Sequence, residues 1–303
     1  MIATETTEHE ETLVMCSWNV ERDGIDANGS RRRRDIALAE LKKRKPRVIF
    51  QQEATYSMDD DEAGRKEIEN ELGLVCRVAP VTGDSRNPTA VSYDPQLFDL
   101  VNVIEWSTGL YKPMDIPVVR LRGTVKPLAL ASLHLCYWAP QERAVQAQRL
   151  TTLGEPGKNA ILAGDFNSEE LGNKRPSQPG DWGTDASLLA HRTVHVPGAP
   201  GEPGKRWIDT GPDDILTGTG VFADLALHAA TNLDQPKATQ ATASLWRTDQ
   251  GPRRRIDRAL STPNLLPALK KFEVVTTPEV VEASDHALLV WEYSLPKLVA
   301  ALG

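Results

Sequence analysis

The chain has 303 residues, of which 40% are hydrophobic and 25% charged, a balance typical of a soluble globular protein with a large buried core. Its formal net charge of -7 excludes a general basic field that would hold nucleic acid without specific contacts. Two local basic runs remain for such contacts, RRRR at 31–34 and RRR at 253–255. For the first run, a solvated helix face is the simpler interpretation.

Cysteine usage and the N-terminal composition bear on location. Cys16, Cys76 and Cys136 are widely spaced in apolar, strand-like stretches and lack the CxxC spacing of a metal site. Reduced, buried thiols of this kind suit an intracellular protein. The N-terminal residues lack the basic start and apolar core of a signal peptide, and no stretch is apolar over the roughly 18 residues that a membrane span needs. We therefore expect a cytoplasmic monomer without a membrane anchor.

Apolar runs of strand length dominate the chain, with a few helical patterns between them. Residues 1–11 are predicted to be a flexible leader, and helices are predicted over 31–45, 60–72 and 140–153. The predicted strands cover 13–20, 47–53, 74–80, 88–94, 98–106, 116–123, 125–135, 161–165, 253–262, 270–277 and 286–295.

The organisation of these elements favours a single domain over 12–303. No internal repeat and no clean linker separates two cores, and residues 172–206, rich in Gly, Pro and Ser, are predicted to form a long surface loop. Many strands with a few intervening helices indicate two packed sheets flanked by helices.

The segment ILAGDFNSEE, residues 161–170, ends an apolar strand with an acid and an amide. Strand alternation would direct Asp165 and Asn167 to one side and Phe166 back into the core. An ordinary turn is the alternative, because Asp and Asn are common turn residues and Gly164 permits unusual dihedral angles.

The same pattern recurs at other strand ends, and polar residues so placed can line one rim of a sheet protein. Carboxylate and amide oxygens suit Mg²⁺ or Mn²⁺, whereas zinc would require more His or Cys. A metal site of this kind, with a His to stabilise phosphate oxygens and an Asp to activate water, predicts a hydrolase of phosphate esters. The residues at these strand ends are Asn19, Glu53, His134, Asp165 with Asn167, Asp257, and Asp285 with His286.

Six segments spread over 13–293 resemble, in their order, the motifs of the endonuclease/exonuclease/phosphatase (deoxyribonuclease-I-like) superfamily. The resemblance implies a four-layered α/β sandwich of two packed, mostly antiparallel β-sheets flanked by helices. It also implies a phosphodiesterase that uses Mg²⁺ or Mn²⁺ and attack by a metal-assisted water. The segments are SWNVER, VIFQQEA, SLHL, ILAGDFNS, RRIDRAL and ASDHALLV.

The resemblance implies a role for each residue at the strand ends. Asp165 would orient or deprotonate the attacking water, and Asn167 would hold a phosphate oxygen. His286 would stabilise charge on the scissile phosphate while Asp257 holds its imidazole. His134 is a candidate general acid near the leaving oxygen. The implied metal ligands are Asn19, Glu53 and Asp285.

Nucleic acid is the expected substrate, because phosphodiesters dominate the resembled family and arginine runs flank two of the motifs. Abasic-site endonucleases usually carry tyrosine where His134 stands, which argues against a base-excision enzyme. A phosphomonoesterase or a phospholipid phosphodiesterase on the same site remains the alternative. A catalytically silent scaffold protein is disfavoured, because all six motifs are present. We expect the remaining histidines of the irregular region to be structural or solvated: His191, His195 and His228.

Overall fold

The computed structural model describes residues 11–83, 85–178, 180–183, 185–247 and 249–303, so residues 1–10 of the predicted leader lie outside it. The strands are β1 (Thr12–Asn19), β2 (Val48–Gln52), β3 (Val75–Val78), β4 (Ala90–Tyr93), β5 (Phe98–Trp106), β6 (Met114–Leu121), β7 (Leu128–His134), β8 (Ala160–Asp165), β9 (Thr193–Val196), β10 (Lys205–Ile208), β11 (Ala223–Asp224), β12 (Asp257–Ser261), β13 (Leu269–Val275) and β14 (Leu288–Ser294). The α-helices are α1 (Arg32–Arg44), α2 (Asp59–Leu72), α3 (Pro140–Leu150), α4 (Ala186–Arg192), α5 (Gly211–Leu216), α6 (Leu225–Asn232), α7 (Pro278–Ala283) and α8 (Leu295–Leu302).

These strands form two six-stranded sheets and a separate hairpin of β9 and β10. The first sheet has the order β13-β14-β1-β2-β4-β3, and the second has the order β11-β12-β8-β7-β6-β5. Each sheet contains one parallel pair at its centre, β1 with β2 and β7 with β8. The other pairs are antiparallel, as expected from the sequence.

The two sheets pack face to face and helices cover their outer faces. Residues such as Phe50 of β2, Leu130 of β7 and Trp291 of β14 are buried in one cluster between the sheets. Helix α1 packs against the first sheet, and helices α3 and α5 pack against the second. The order helix, sheet, sheet, helix confirms the predicted four-layered sandwich.

A glycine sets the contact between the sheets near the rim. Gly164 in β8 has φ +145°, and a Cβ atom added there would lie 2.0 Å from the carbonyl oxygen of Leu133 and 2.9 Å from Gln52 Nε2. Gln52 Nε2 in turn donates to Ser132 Oγ across the sheet interface at 3.0 Å. A side chain at 164 would therefore disturb both the β7–β8 pair and the packing of the sheets.

Two regions differ from the predictions. The range 172–206 is not irregular throughout, because Asp185 caps the short helix α4 by accepting from the Ser187 N–H, and the β9–β10 hairpin follows. The last predicted strand, 286–295, ends at Ser294, which caps an unpredicted helix, α8. The apolar run before it pairs as β14, and Pro296 fits the first turn of the helix because proline needs no donor there. Among the described residues, no helix is both long and apolar enough to cross a membrane.

Candidate active site

Strand direction brings the predicted site residues to one edge. The parallel strands β1 and β2 end at Asn19 and just before Glu53, and β7 and β8 end at the paired residues His134 and Asp165. Strand β12 runs antiparallel to β8, so its first residue, Asp257, lies opposite Asp165. Asp285 and His286 likewise precede β14, which runs antiparallel to β1 and begins at the same edge.

A cleft of about 480 Å³ opens at this edge. Seven of the eight predicted residues line it, and Asp257 lies behind His286. His191, expected to be structural or solvated, also lines the cleft. Further side chains that the sequence did not single out line it as well, among them Arg22, Asn87, Tyr111, Lys112, Tyr137, Arg192 and Arg247.

Asp165 occupies the centre of the contacts within the cleft. Its Oδ1 accepts the Asn167 N–H at 2.8 Å, and its Oδ2 lies 3.4 Å from Asn19 Nδ2 and 3.5 Å from His134 Nε2. Burial alone would raise the pKa of Asp165, but His134, His286 and the Asn167 N–H hold it below its ordinary value. The carboxylate is thus ionised at neutral pH.

The turn at the end of β8 and the site are the same structure. Asn167 has φ +52°, so Asp165 and Asn167 reach one cleft through a side-chain-capped turn rather than through strand alternation. Phe166 is fully buried in the core between the second sheet and its helices, as predicted. The turn interpretation of the GDFN segment is therefore confirmed, and the same turn places Asp165 and Asn167 on the lining of the cleft.

Asn19 and Glu53 present oxygen atoms to the cleft. Asn19 Oδ1 is buried and has no hydrogen-bond partner among the described residues. Glu53 Oε2 accepts the Arg22 N–H at 3.1 Å and lies 3.4 Å from Asn87 Nδ2. Burial opposes ionisation of Glu53, yet Lys112 and His134 hold its pKa below the ordinary value. A buried amide oxygen without a donor, beside an ionised carboxylate, is an arrangement that fits a cation.

A second group could also hold a cation, since Asp165, Asp257 and His286 each bring one ligand atom within 4.8 Å of the others. In this group, however, His286 and Asp257 are already hydrogen-bonded to each other. His286 Nδ1 lies 3.0 and 2.9 Å from the two oxygens of Asp257. Asn19 Oδ1 is the better placed ligand atom for a cation, because it has no hydrogen-bond partner among the described residues, and the ionised Glu53 lines the same cleft.

His286 is fixed on several sides. Its backbone N–H donates to Ser284 Oγ at 3.0 Å, and its backbone carbonyl oxygen accepts from Trp18 Nε1 at 3.0 Å. Burial would lower the pKa of His286, but Asp257, and next Asp165, raise it to about 10. The imidazole is therefore a cation at neutral pH, and its Nε2 is the ring atom left to face the cleft.

Lys112 is a site residue that the sequence did not indicate. It lies in the loop between β5 and β6, is buried, and places its Nζ 2.7 Å from His134 Nδ1 and 3.0 Å from His134 Nε2. An ammonium group can only donate, so His134 must offer a lone pair. Burial, followed by Lys112, lowers the pKa of His134 to about 4. His134 is thus neutral at pH 7. Burial also lowers the pKa of Lys112, while Glu53 and then Asp165 oppose that shift.

Arg192, at the end of α4, is a second unpredicted residue. Its Nη1 donates to Asn167 Oδ1 at 2.6 Å, and Asn167 Nδ2 donates to the Leu135 carbonyl oxygen at 3.1 Å. Burial and the nearby Arg254 lower the pKa of Arg192 to about 9. Both polar atoms of the Asn167 side chain are therefore engaged by the protein, and Arg192 brings positive charge to that wall of the cleft.

Most arginines of the two basic runs that might attract nucleic acid have partners within the protein, whereas Arg253 is exposed. Arg255 and Asp224 form a buried ion pair at 2.6 Å, and Arg254 is buried against the ring of Trp182. Each arginine of the run at 31–34 pairs with a carboxylate. The sequence could not show these partners, which are Glu67, Glu282, Asp26 and Asp23.

Two packed mixed sheets whose shared edge carries carboxylates, amides and imidazoles define a deoxyribonuclease-I-like phosphoesterase fold. The profile of the Endonuclease/Exonuclease/phosphatase family matches residues 16–286, nearly the whole chain. The chain belongs to this family. Phosphoric-ester hydrolysis is the activity that this membership supports.

Solved structures of the same fold cover most of the chain. The human Nocturnin catalytic domain has a TM-score of 0.62 at 14% identity, covering 93% of this chain and 94% of that chain. Humanized D. rerio TDP2 has a TM-score of 0.59 at 17% identity, covering 93% and 98%. A mannosyl-6-phosphatase from Bacteroides thetaiotaomicron has a TM-score of 0.59 at 16% identity, covering 92% and 98%. No curated protein sequence matches the chain.

Proposed function

We propose that the chain is a divalent-metal-dependent phosphodiesterase whose substrate is nucleic acid. The observation that carries the proposal is the surroundings of Asp165. This buried carboxylate shares one cleft with the oxygen atoms of Asn19 and Glu53 and with the side chains of His286 and Lys112. A phosphate oxygen entering between them would meet positive charge and a base together.

Asn19, Glu53 and Asp285 would hold the metal. The unpartnered Oδ1 of Asn19 and the ionised Glu53 are the hard oxygen ligands that Mg²⁺ and Mn²⁺ prefer. A bound divalent cation would neutralise phosphate charge and favour ionisation of water. The pKa values of Glu53 and Asp165 lie below their ordinary values, so both carboxylates are charged before any metal binds.

The chain's own residues would share the remaining work. Asp165 would accept a proton from the attacking water, because it is ionised and held in place by the Asn167 N–H. His286, cationic and oriented by Asp257, would stabilise negative charge on the phosphate. His134 accepts from Lys112, so we assign Lys112 rather than His134 the donor role toward the leaving oxygen.

The proposal of nucleic acid as the substrate rests on the cleft more than on the basic runs at the protein surface. A TDP2 structure of the same fold holds a single-stranded DNA product, whereas the Bacteroides relative is a mannosyl-6-phosphatase. Since the arginines at 31–34 and Arg255 pair with carboxylates, attraction for a polyanion would come chiefly from the cleft itself. A phosphomonoester substrate is the second candidate, supported by the Bacteroides relative alone.

The first experiment incubates the protein with supercoiled plasmid and with a single-stranded oligonucleotide in Mg²⁺ or Mn²⁺. Cleavage that EDTA abolishes, and that Asp165→Asn abolishes, is the expected result. Asp99→Asn is the matched control, because Asp99 is an exposed acid at the start of β5 that pairs with Arg122 and does not line the cleft. Cleavage by Asp165→Asn at the wild-type rate would contradict the role of Asp165, and release of phosphate from monoesters alone would favour the second candidate.

A further inference from the structure

Of the large exposed aromatic side chains among the described residues, Tyr137 lines the cleft, and Trp138 and Trp246 are each adjacent in sequence to a residue that lines it. Tyr137 and Trp138 follow shortly after His134 in the loop between β7 and α3, and they are 46% and 48% exposed. Trp246 is 52% exposed and precedes Arg247, which lines the cleft. Keeping such rings in water is unfavourable, so their concentration beside a reactive site indicates a ligand surface.

The rings of the β7–α3 side form a connected cluster. Tyr111 meets Tyr137 at a centroid distance of 6.0 Å and 67°, and it meets Trp138 at 6.4 Å and 87°. Tyr137 meets His191 at 6.3 Å and 90°. We call these four residues the aromatic platform. An edge-to-face contact covers a face of only one of its two rings, and Tyr137 and Trp138 remain 46% and 48% exposed, so part of each ring is open to another planar group.

The platform is rigidly joined to the phosphate site. The buried guanidinium of Arg143 donates to the carbonyl oxygens of Cys136 at 2.8 Å and His191 at 2.7 Å, which fixes the backbone beside Tyr137 and at His191. The Leu135 N–H donates to the carbonyl oxygen of Asp165 at 2.9 Å. A group held on the platform therefore has a defined position relative to a phosphate at Asp165.

We propose that the aromatic platform stacks an unpaired nucleobase flanking the scissile phosphate, so that the substrate is single-stranded nucleic acid. This inference rests on the proposed phosphodiesterase function. Every base has a π face that can stack on Tyr or Trp, whereas in a duplex these faces are covered by neighbouring bases. Stacking does not read base identity, so cleavage will show little sequence preference.

The test compares two single strands with the same phosphodiester backbone, a thymidine oligonucleotide and one built from abasic tetrahydrofuran residues. We expect the wild-type protein to cleave the thymidine strand with a kcat/KM about 5- to 150-fold higher, the range for one stacked base. In Tyr137→Ala and Trp138→Ala this preference falls toward one. Tyr137→Phe keeps the ring and the preference, and Val145→Ala, which removes an exposed side chain on α3, is the matched control.

The outcomes separate the two proposals. Equal cleavage of the thymidine and abasic strands by the wild-type protein overturns the platform and leaves the phosphodiesterase in place. Cleavage of neither strand, in any divalent metal, overturns the proposed function as well. A uridine strand run in parallel distinguishes RNA from DNA as the source of the base. Annealing a complementary strand should slow cleavage, and an undiminished rate on the duplex counts against the platform.

Discussion

The ion pair between His286 and Asp257 joins the two sheets at the site. His286 precedes β14 of the first sheet, Asp257 begins β12 of the second, and Nδ1 lies 2.9 Å from the nearer carboxylate oxygen. Both side chains are buried. A single contact therefore sets the orientation of the imidazole and depends on how the sheets are docked.

The losses of kcat in Asp257→Asn and His286→Ala are expected to be non-additive. Each should lower kcat by about 100-fold or more, because the first variant loses the orientation and charge of the imidazole and the second loses the group itself. The double variant should be little worse than His286→Ala, since both changes remove the same interaction. Steady-state kinetics on one phosphodiester substrate gives kcat for the two single variants and the double variant. Fully multiplicative losses would mean that Asp257 acts independently of His286.

Lys112→Met should lower kcat by about 100- to 1,000-fold, the cost of removing one donor aimed at developing charge. Methionine keeps the length of the side chain and removes the ammonium group that contacts His134. Lys158→Met is the control, because Lys158 is exposed and pairs with Glu155 at the surface. Wild-type kcat in Lys112→Met, in a variant with an unchanged circular dichroism spectrum, would exclude Lys112 from the reaction.

Gly164→Ala should destabilise the fold by about 3 kcal/mol, through a strained backbone and overpacking between the sheets. The added methyl group would meet the Leu133 carbonyl oxygen at 2.0 Å, and backbone atoms cannot move aside cheaply. Gly172→Ala is the matched control, because no atom lies within 4 Å of its Cβ position. Urea unfolding of both variants gives the free energies. Equal stabilities would mean that β8 can shift without cost.

The buried pair of Asp224 and Arg255 should make stability depend on acid pH. Burial would raise the pKa of Asp224, but Arg255 holds it below the ordinary value. The pair therefore stabilises the fold above the unfolded pKa of about 3.9, and this stability is lost as pH falls through the folded pKa. Asp224→Asn should cost about 3 kcal/mol at pH 7, because Arg255 stays buried without its partner.

Urea unfolding at a series of pH values measures this effect. The gap in the free energy of unfolding between the wild type and Asp224→Asn should narrow below about pH 4. Asp99→Asn should change stability by no more than about 1 kcal/mol, because its pair with Arg122 is exposed. A gap that stays constant from pH 7 to pH 3 would show that folding does not lower the pKa of Asp224.

The sequence was sufficient to place the candidate site residues that lie at the ends of strands. Asn19, Asp165 and His286 could be placed because apolar runs reveal where strands stop, and parallel and antiparallel neighbours then gather those ends. The layered fold followed from the same runs. Helix α8 was missed because the apolar pattern of β14 continues into it without a break, and only Ser294 and Pro296 mark the boundary.

Lys112 and Arg192 could not be found in this way. Lys112 lies in a loop between two strands and Arg192 at the end of a short helix, so neither has a periodic pattern or a motif around it. Their positions depend on burial and on contacts with His134 and Asn167, which are distant in the sequence. The arginine run at 31–34 illustrates the converse, since its charges were visible but their partners were not.

The division of the site between the two sheets has a consequence for how the protein fails. Asn19 and Glu53 belong to the first sheet, whereas His134 and Asp165 belong to the second, and Gly164 and Gln52 fix the distance between them. The proposed catalytic activity should therefore be sensitive to small changes in the relative position of the two sheets. Mild denaturant or pressure can loosen the interface while each sheet keeps its own hydrogen bonds. We therefore expect activity to be lost before the secondary structure unfolds.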